Sequence, residues 1–510
     1  MRRLGGRRRV IGRRALFFWV LIYLSINNNV KECGGTMVST AYRIRLMVIT
    51  CIALFMAMLD NLVVGVALPS IQAEFNAGMS DLQWFLNAYT LAFAVLLIPF
   101  SMLGERLGRK RMFLAGVVLF TLGSLAAALS DSSMQLTLAR ALQGVGAAAI
   151  MPISLTLVSS AFPPEKRAAA IGIWSGISGL GLSIGPLVGG AIIEGAPWEM
   201  IFWVNVPFGV LAVLFGLKWL KESKGESRPV DPVGIALLGA GLFGLVYGLV
   251  RGNDEGWGEF GVWGPIAGGA LLLLAFYGWE RGRKRPFIQL SQFRNRTYSA
   301  YLMAGFWLNA GIFGAIFLLT LFLQQAQGYS ALGAGVREMV WTACTMVAAP
   351  LAGLVIGRFG SKNVLLIGIL LQMAALLGFA LVIMSQGAVF PFGYIVPMMM
   401  AAGVGMGLSF TPLSHGLLSS VPDSAAGEAS GLSNAARELG GVFGVAIGGL
   451  VFARGGVVAT PNDFGDHLVP TLFVLTAMLA AAILSVALLA KKSRRAEKAR
   501  ARASVAGTEA

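Results

Sequence analysis

The sequence predicts an all-α polytopic membrane protein with fourteen transmembrane helices. These form two six-helix repeats plus two inserted helices, with both termini in the cytoplasm. Composition, the length of the apolar segments and the alternation of charge between them lead to this prediction. The chain has 510 residues, of which 56% are hydrophobic and 13% are charged, and its mean hydropathy is +0.74. Soluble proteins carry about 25% charged residues. Because this chain has too few charges to cover a water-exposed surface, we expect most of its surface to face lipid.

Apolar segments of about twenty residues, the length that crosses a bilayer, recur along most of the chain. Turn-forming residues separate them, as in PPEKR at 163–167 and PNDFGD at 461–466. The predicted spans are 45–68, 82–102, 112–130, 135–159, 168–193, 201–219, 233–251, 261–279, 298–323, 334–356, 363–384, 391–415, 431–453 and 470–490.

Charge alternates between the connections on the two sides of the membrane. Connections after even-numbered spans are basic, for example Arg109 and Lys110 after span two and Arg281 after span eight. Most connections after odd-numbered spans carry acids, for example Asp131. Basic loops stay in the cytoplasm, so the termini and the basic connections are predicted to lie there. The connection at 416–430 has no Lys or Arg and is an exception.

The net charge of +16 does not indicate nucleic-acid binding, because the basic residues form short clusters between apolar segments. The cysteines, Cys33, Cys51 and Cys344, have no metal-ligand spacing, and we expect neither a disulfide nor a metal site. No phosphate-binding, HExxH or Ser/His/Asp pattern suggests an enzyme or an ATP-driven pump. We therefore expect no enzymatic activity and no cofactor.

The chain divides into five predicted regions. The first 36 residues are rich in arginine, and their apolar segment of twelve residues is too short to span a bilayer. We expect this segment to be a disordered extension upstream of a natural start at Met37. The regions are 1–36, the basic extension; 37–222, the first six-helix half; 223–297, the inserted spans seven and eight; 298–490, the second half; and 491–510, a basic cytoplasmic tail.

An internal repeat relates the two halves. LGERLGRK at 103–110 reappears as VIGRFGSK at 355–362, and the glycine-rich fifth span is echoed by the thirteenth. Aligning the copies pairs spans one to six with spans nine to fourteen. Two parallel repeats with a substrate site between them near the midplane are typical of one large class of transporters.

Asp60 is the main candidate for a functional residue. It lies inside the first span, where a carboxylate costs roughly 2.5–3.5 kcal/mol and usually marks an ion or substrate pathway. Its predicted partner is Arg140 on span four, about 6–8 Å below the outer end of its helix against about 12 Å for Asp60, a difference that an arginine side chain can bridge. If this pair opened, the unpaired buried carboxylate would favour protonation. A structural role for Asp60, and an Arg140 that extends to the outer surface, are the alternatives.

Two glycine-containing stretches are further candidates for functional segments. GLGLSIGPLVGG at 179–190 places glycines four residues apart on one helix face, next to a kinking proline. GERLGRKR at 104–111 is predicted to form a cytoplasmic gate that binds the end of a neighbouring helix in one transport state. The residues concerned are Gly181, Gly185, Pro186, Gly189 and Gly190 in the first stretch, and Gly104, Glu105, Arg106, Gly108 and Arg109 in the second.

Several polar residues have less specific roles. Arg437 and Glu438 are adjacent on span thirteen, and gating and structural roles are about equally expected for them. Arg358 occupies the repeated loop of the second half. The substrate cavity is predicted to include Asn61, Gln143 and Gln324.

At these residues the chain resembles the major facilitator superfamily, and within it the fourteen-span QacA/EmrB-type drug:proton antiporters. LDNLVVGVALP resembles the first-span motif of that family, with Asp60 at its acid, and LARALQGVG resembles the fourth-span motif around its arginine. SMLGERLGRKR is similar to the cytoplasmic loop signature, with Glu105 where aspartate is usual, and GLSIGPLVGG to the fifth-span antiporter motif. The resemblance covers about 38–490.

The resemblance implies the major facilitator fold and proton-driven export of amphipathic, often cationic, compounds across the cell membrane. It further implies that Asp60 and Arg140 couple transport to a proton gradient. The clustered basic residues give no reason to expect a nucleic-acid partner. An exporter of one endogenous metabolite or lipid, and a receptor or scaffold that transports nothing, are the alternatives. The sequence without the resemblance supports a two-repeat transporter with a buried acid–base pair.

Overall fold

The computed structural model describes residues 39–225, 231–255, 259–283, 290–421 and 426–489. The predicted N-terminal extension and C-terminal tail lie outside these residues. Within them the regular structure is helical, with no strand. Helices satisfy their backbone hydrogen bonds internally, which the interior of a membrane demands.

The first group of helices follows the order of the predicted spans. Its members are α1 (Thr40–Phe75), α2 (Met79–Leu107), α3 (Arg109–Ala128), α4 (Ser133–Ala161), α5 (Pro164–Gly195) and α6 (Met200–Trp219).

Two inserted helices and a second group complete the chain. The inserted helices are α7 (Pro232–Glu255) and α8 (Phe260–Arg281). The second group comprises α9 (Arg296–Leu321), the long stretch Ala331–Gln386, α12 (Val396–Leu418), α13 (Ala426–Ala453) and α14 (Pro461–Leu484).

The stretch Ala331–Gln386 contains two helices joined by a bend. Gly360 has φ 76° and ψ 148°, a conformation outside the helical region that a glycine adopts without steric cost. We name the two parts α10 (331–359) and α11 (361–386). By length and composition, thirteen helices in the described residues can cross a membrane, with this stretch counted as one. Each of its two parts is itself long enough to span about 30 Å.

The main difference from the predicted boundaries is in α1. The predicted span ended at residue 68, but the helix continues through Pro69 to Phe75. It stops where Asn76 adopts a left-handed conformation (φ 48°). The proline is tolerated because its neighbours Leu68 and Ile71 are fully buried, so packing outweighs the local preference.

Glycine stripes give the two groups the same internal packing. On α5, Gly181, Gly185 and Gly189 lie against α1, and a Cβ built on Gly185 would lie 3.2 Å from the carbonyl oxygen of Leu59. On α13, the stripe that begins at Gly440 lies in the same way against α9. Since α5 and α13 hold the same place in the predicted repeat, the alignment of the two halves agrees with this packing.

The two groups meet along two seams. In one, α5 of the first group contacts α10 of the second. In the other, α2 of the first group contacts α13 of the second. Repeat alignment pairs α5 with α13 and α2 with α10, so the two seams are equivalent by the internal symmetry. The inserted α7 contacts both α2 and α13, which places it on one seam.

We predict that Gly444→Ala destabilises the protein and that Gly448→Ala does not. A Cβ on Gly444 would lie 2.0 Å from the carbonyl oxygen of Ala310, whereas a Cβ on Gly448 would meet its nearest atom at 3.7 Å. Overpacking of this kind costs about 1–3 kcal/mol.

Thermal unfolding of the two purified variants in one detergent measures this difference. Both residues lie on the same face of α13, so Gly448→Ala controls for the effect of the added methyl group on the helix itself. Equal unfolding temperatures would contradict the close approach of α13 and α9.

Candidate functional site

Asp60 lies near the middle of α1 and is fully buried. Its carboxylate forms an ion pair with the guanidinium of Arg140 on α4, which is 1% exposed. The predicted contact between these residues is therefore present. Neither side chain reaches a surface, so the alternative of an Arg140 that extends outward is wrong.

Arg140 is held on every side. Its Nε donates to the carbonyl oxygen of Phe85 (3.0 Å), and its Nη1 donates to Oε1 of Gln143 (2.8 Å) as well as to Asp60. Its guanidinium carbon lies 4.5 Å from the centroid of the Tyr89 ring. A buried charge is tolerated when it is paired and hydrogen-bonded in this way.

Asn205 and Gln143 complete the environment of Asp60. Nδ2 of Asn205 donates to Oδ1 of Asp60 at 2.8 Å, and Nε2 of Gln143 reaches the same oxygen at 3.2 Å. Nε2 of Gln143 also lies 2.8 Å from Oγ of Ser124. Sequence reasoning missed Asn205 and Ser124, although Asn205 is a polar residue inside an apolar span, which is the signal that identified Asp60.

A pocket between the two groups of helices adjoins this ion pair. Arg140 and Asn61 form part of its wall from the first group, and Glu338 and Thr320 from the second. The predicted place of Asn61 in a cavity agrees with this geometry. Leucine, isoleucine, valine and phenylalanine side chains supply most of the remaining wall. A largely apolar pocket with few polar groups is the usual form of a small-molecule site.

Gln143 and Gln324 do not line this pocket, contrary to prediction. Gln143 lies behind the ion pair, while Nε2 of Gln324 donates to the carbonyl oxygen of Val66 at 3.0 Å. The next residue, Gln325, bonds Gln72 at 2.7 Å. These contacts join the outer end of α9 to α1 because the amides follow the last turn of α9. They hold the two groups of helices together at this end.

Glu338 is a second buried carboxylate, which sequence reasoning missed. It lies on α10, is 5% exposed and faces the pocket. Its Oε1 has no hydrogen-bond partner among the described residues. A buried oxygen without a partner is costly, so this atom is available to a ligand. The signal was present in the sequence as an acid within the tenth span.

The fifth-span motif has two faces. Gly181, Gly185 and Gly189 pack against α1 of their own group, so among the described residues they make no contact with the other half. The contact with the other half comes from Pro186 and Gly190, because these residues point about 100° away from the glycine stripe. A Cβ on Gly190 would lie 2.5 Å from the carbonyl oxygen of Ala331.

The predicted cytoplasmic gate is bound to its own group of helices. Glu105 pairs with Arg109 at 2.6 Å, and Arg106 is exposed. Glu222, in the segment after α6, accepts hydrogen bonds from the backbone amides of Lys110 (3.0 Å) and Arg111 (3.2 Å) and so caps the start of α3.

Gly108 makes room for this cap. It has φ 121°, and a Cβ there would lie 2.5 Å from the Glu222 carboxyl carbon. Gly104 packs against Ile153 of α4. The loop that contains both glycines is thus fixed within the first group, and a gating role for it stays a prediction.

The candidates in the second half lie apart from the ion pair. Arg437 packs inside its own group, with its guanidinium carbon 4.3 Å from the Phe410 ring centroid. Glu438, the next residue on α13, is half-buried. Arg358 is exposed at the end of α10. None of them contacts Asp60 or Arg140.

Fold and site together define a two-group helical membrane transporter with a buried ion pair beside its central pocket. The family description of the Major Facilitator Superfamily matches residues 50–445, and the chain belongs to this superfamily. It is a multi-pass membrane protein and a transporter, not an enzyme. In a bacterial cell, a protein of this family lies in the cell membrane.

Two relatives and one solved structure illustrate the similarity. The tetracenomycin C resistance and export protein of Streptomyces glaucescens is 34% identical over 82% of this chain and 78% of its own length. The multidrug resistance protein Stp of Mycobacterium tuberculosis is 36% identical over 80% of this chain and 75% of its own length. A bacterial homologue of the human lysosomal transporter Spinster has a TM-score of 0.61 at 18% identity, covering 89% of this chain and 98% of that one. The last match concerns the fold alone.

We predict that Asn205→Ala destabilises the protein more than Asn87→Ala does. Both residues are 1% exposed, but Asn205 donates to a carboxylate, whereas Nδ2 of Asn87 has no acceptor among the described residues. A hydrogen bond to a charged group contributes about 1.5–3 kcal/mol. Thermal unfolding in detergent measures the difference, and a larger effect of Asn87→Ala would contradict it.

Proposed function

We propose that this protein is a proton-coupled antiporter that exports amphipathic, cationic compounds by alternating access. The observation that carries the proposal is the buried Asp60–Arg140 ion pair, whose Arg140 lines a pocket that Glu338 lines from the other group of helices. The carboxylate of Asp60 can take up and release a proton when the ion pair opens. The carboxylate of Glu338 can bind a cationic substrate. The names of the two relatives, one for resistance and export and one for multidrug resistance, support export.

Electrostatics can couple the proton to the substrate. With Asp60 ionised, the charge of Arg140 is neutralised, and a cation can lie against Glu338. When Asp60 takes up a proton, Arg140 keeps its charge and repels that cation. At an effective dielectric constant of about 20, two like charges on opposite walls of one pocket repel by roughly 1–2 kcal/mol. This energy is enough to make the two bound states largely exclusive.

The surrounding residues suit this exchange. Asn205 and Gln143 donate hydrogen bonds to Asp60, so they hold its carboxylate in place while the pair is closed. The apolar wall of the pocket accommodates the apolar part of an amphipathic compound. In this proposal the outer contacts around Gln324 open in the opposite transport state, and the loop around Glu105 and Arg109 then closes the cytoplasmic side.

An exporter of one particular compound is the second candidate. The name of the relative from Streptomyces glaucescens, which refers to a single compound, favours it. The two candidates differ in the range of compounds that bind. A panel of chemically unrelated cations that all compete for one site supports the first candidate, and competition by a single compound supports the second.

We predict that Asp60→Asn abolishes transport driven by a pH gradient and also slows exchange of a cationic dye, because the charge of Arg140 then lacks its counter-ion and repels the cation. Asparagine preserves the size of the side chain but cannot take up a proton. Uptake of a cationic dye into proteoliposomes is measured with and without an imposed pH gradient, together with the proton flux. Exchange of dye without a gradient is measured in the same vesicles.

Asp131→Asn is the matched control, because Asp131 is exposed in the turn between α3 and α4. It removes one carboxylate without touching the pocket, and we expect wild-type rates. Gradient-driven transport by Asp60→Asn at the wild-type rate would remove Asp60 from the proton pathway.

We predict that Glu338→Gln weakens binding of cationic substrates and leaves the binding of neutral amphipathic compounds unchanged. Loss of a charge-assisted contact reduces affinity about tenfold to a hundredfold. Equilibrium binding to the purified variant in detergent gives both affinities, and Glu338→Asp serves as the charge-preserving control. An equal loss for cationic and neutral compounds would show that Glu338 shapes the pocket without selecting charge.

A further inference from the structure

The two seams between the helix groups differ, although the internal repeat makes them equivalent. One seam joins α5 and α10, and the other joins α13 and α2. If packing followed the repeat alone, both seams would be equally open or closed on the cytoplasmic side.

At its outer end the α5–α10 seam is closed. The hydroxyl of Thr342 donates to the carbonyl oxygen of Ser183 at 3.1 Å. A Cβ built on Gly335 would lie 2.2 Å from the carbonyl oxygen of Pro186, so the two backbones are in direct contact there.

The same faces separate toward the cytoplasmic end. On α5, Gly172, Gly176 and Gly179 continue the face that carries Ser183 and Pro186, because their spacing of three and four residues keeps them on one side. A Cβ on any of these three glycines would meet nothing within 4 Å.

On α10, the face that carries Gly335 and Thr342 continues to Gly353 and Gly357, which also meet nothing within 4 Å. Between residues 350 and 359 all residues except Ala352 and Ile356 are exposed. We call the space between 172–180 of α5 and 343–357 of α10 the α5–α10 cleft. Its two sides carry no charged residue.

The α2–α13 seam is covered along its whole length. No residue of α2 between 79 and 105, and none of α13 between 429 and 453, is exposed. Near the cytoplasmic end, a Cβ on Gly431 would lie 3.5 Å from Ile98 of α2, so the two helices still touch there.

The inserted helices supply this cover. Trp84 of α2 packs against Phe243 and Tyr247 of α7, with ring centroids 5.7 and 6.1 Å apart. Further along, Val246 of α7 belongs to a buried cluster with Leu91 of α2 and Val442 of α13, so α7 fills the groove between them. Phe276 of α8 packs with Met102 of α2 and Leu432 of α13 toward the cytoplasmic end.

A polar contact joins α7 and α8 at the cytoplasmic side. Asp231, just before α7, pairs with Arg283 and accepts hydrogen bonds from Nε1 of Trp279 (2.9 Å) and the amide of Gly234 (3.1 Å). Burial alone would raise the pKa of Asp231, but the hydrogen bonds from Arg283, Gly234 and Trp279 hold that pKa below its usual value. The charged form thus keeps the two helices together as a hairpin.

We propose that the α7–α8 hairpin seals one seam against lipid, so that membrane-dissolved substrate enters through the α5–α10 cleft alone. The occupant of the cleft is an amphipathic cation in the cytoplasmic leaflet. Its apolar part fits the uncharged, glycine-lined sides. The cleft ends at Thr342, which lies one helical turn from Glu338 on α10. The carboxylate of Glu338 then neutralises the charge of the cation. This inference rests on the proposed function.

The first experiment measures access of lipid without relying on transport. A fluorophore is attached at Gly176→Cys or at Gly431→Cys in a chain whose three native cysteines are replaced, and the protein is placed in membranes with brominated acyl chains. We expect strong quenching at position 176 and weak quenching at position 431. Phe276→Ala should raise quenching at position 431. Equal quenching at the two positions overturns the proposal.

The second experiment obstructs the cleft. In Gly176→Trp and Gly353→Trp a large side chain enters a space where nothing lies within 4 Å. The KM for a lipid-soluble cation should rise several-fold in membranes, while its Kd in detergent, where no leaflet exists, stays at the wild-type value. Gly268→Trp on α8, which lies outside the cleft and is equally free of neighbours, is the control and should change neither value.

The two proposals fail in different ways. If KM in membranes is unchanged in both cleft variants while the wild type exchanges protons for the cation, entry through the cleft is wrong and the antiport stands. If the quenching pattern is as expected but neither Asp60→Asn nor the pH gradient affects transport, the antiport is wrong and the sealed seam stands.

Discussion

The buried ion pair between Asp60 and Arg140 is the interaction on which the site depends. Two charges removed from water are stable only if every lone pair and donor is satisfied, because the desolvation of either one alone costs several kcal/mol. Here four helices meet that demand. Arg140 binds Asp60 on α1 and the backbone of α2 at Phe85, while Asn205 brings in α6. The pair therefore fixes the relative positions of most of the first group of helices.

Glycine contacts are the second constraint on the fold. Inside a membrane, helices do not associate by leaving water, so close backbone approach and van der Waals contact supply the attraction. The stripes on α5 and α13 place these helices against α1 and α9, and the bend at Gly360 lets α11 return from α10 without a long loop. Repetition of this packing gives the pocket two similar walls. The polar residues that differ between the walls, Arg140 on one side and Glu338 on the other, make the pocket chemically asymmetric.

Sequence reasoning could find residues whose position along a helix is unusual, and it missed those whose importance lies in a contact between distant helices. Asp60 stands out because it is charged in an apolar span. Asn205 and Glu338 carry the same signal more weakly, and only the arrangement of α6 and α10 brings them to Asp60 and to the pocket. For Gln324 the sequence predicted a place in the substrate cavity, and that prediction was wrong. Gln324 is polar and near a helix end, but its amide is used by the backbone of α1.

By itself the sequence determined the helical class, the membrane as solvent, the repeat and the pairing of Asp60 with Arg140. All of these follow from local composition and from the length of a helix turn. Only the tertiary structure decided which face each glycine stripe presents, that the cytoplasmic loop is capped by Glu222, and that α7 and α8 cover one seam and leave the other open. These features depend on the rotation of each helix about its axis and on which helices are neighbours. Contacts between many pairs of distant residues set the rotation of each helix and its neighbours at the same time. No single stretch of sequence encodes these contacts.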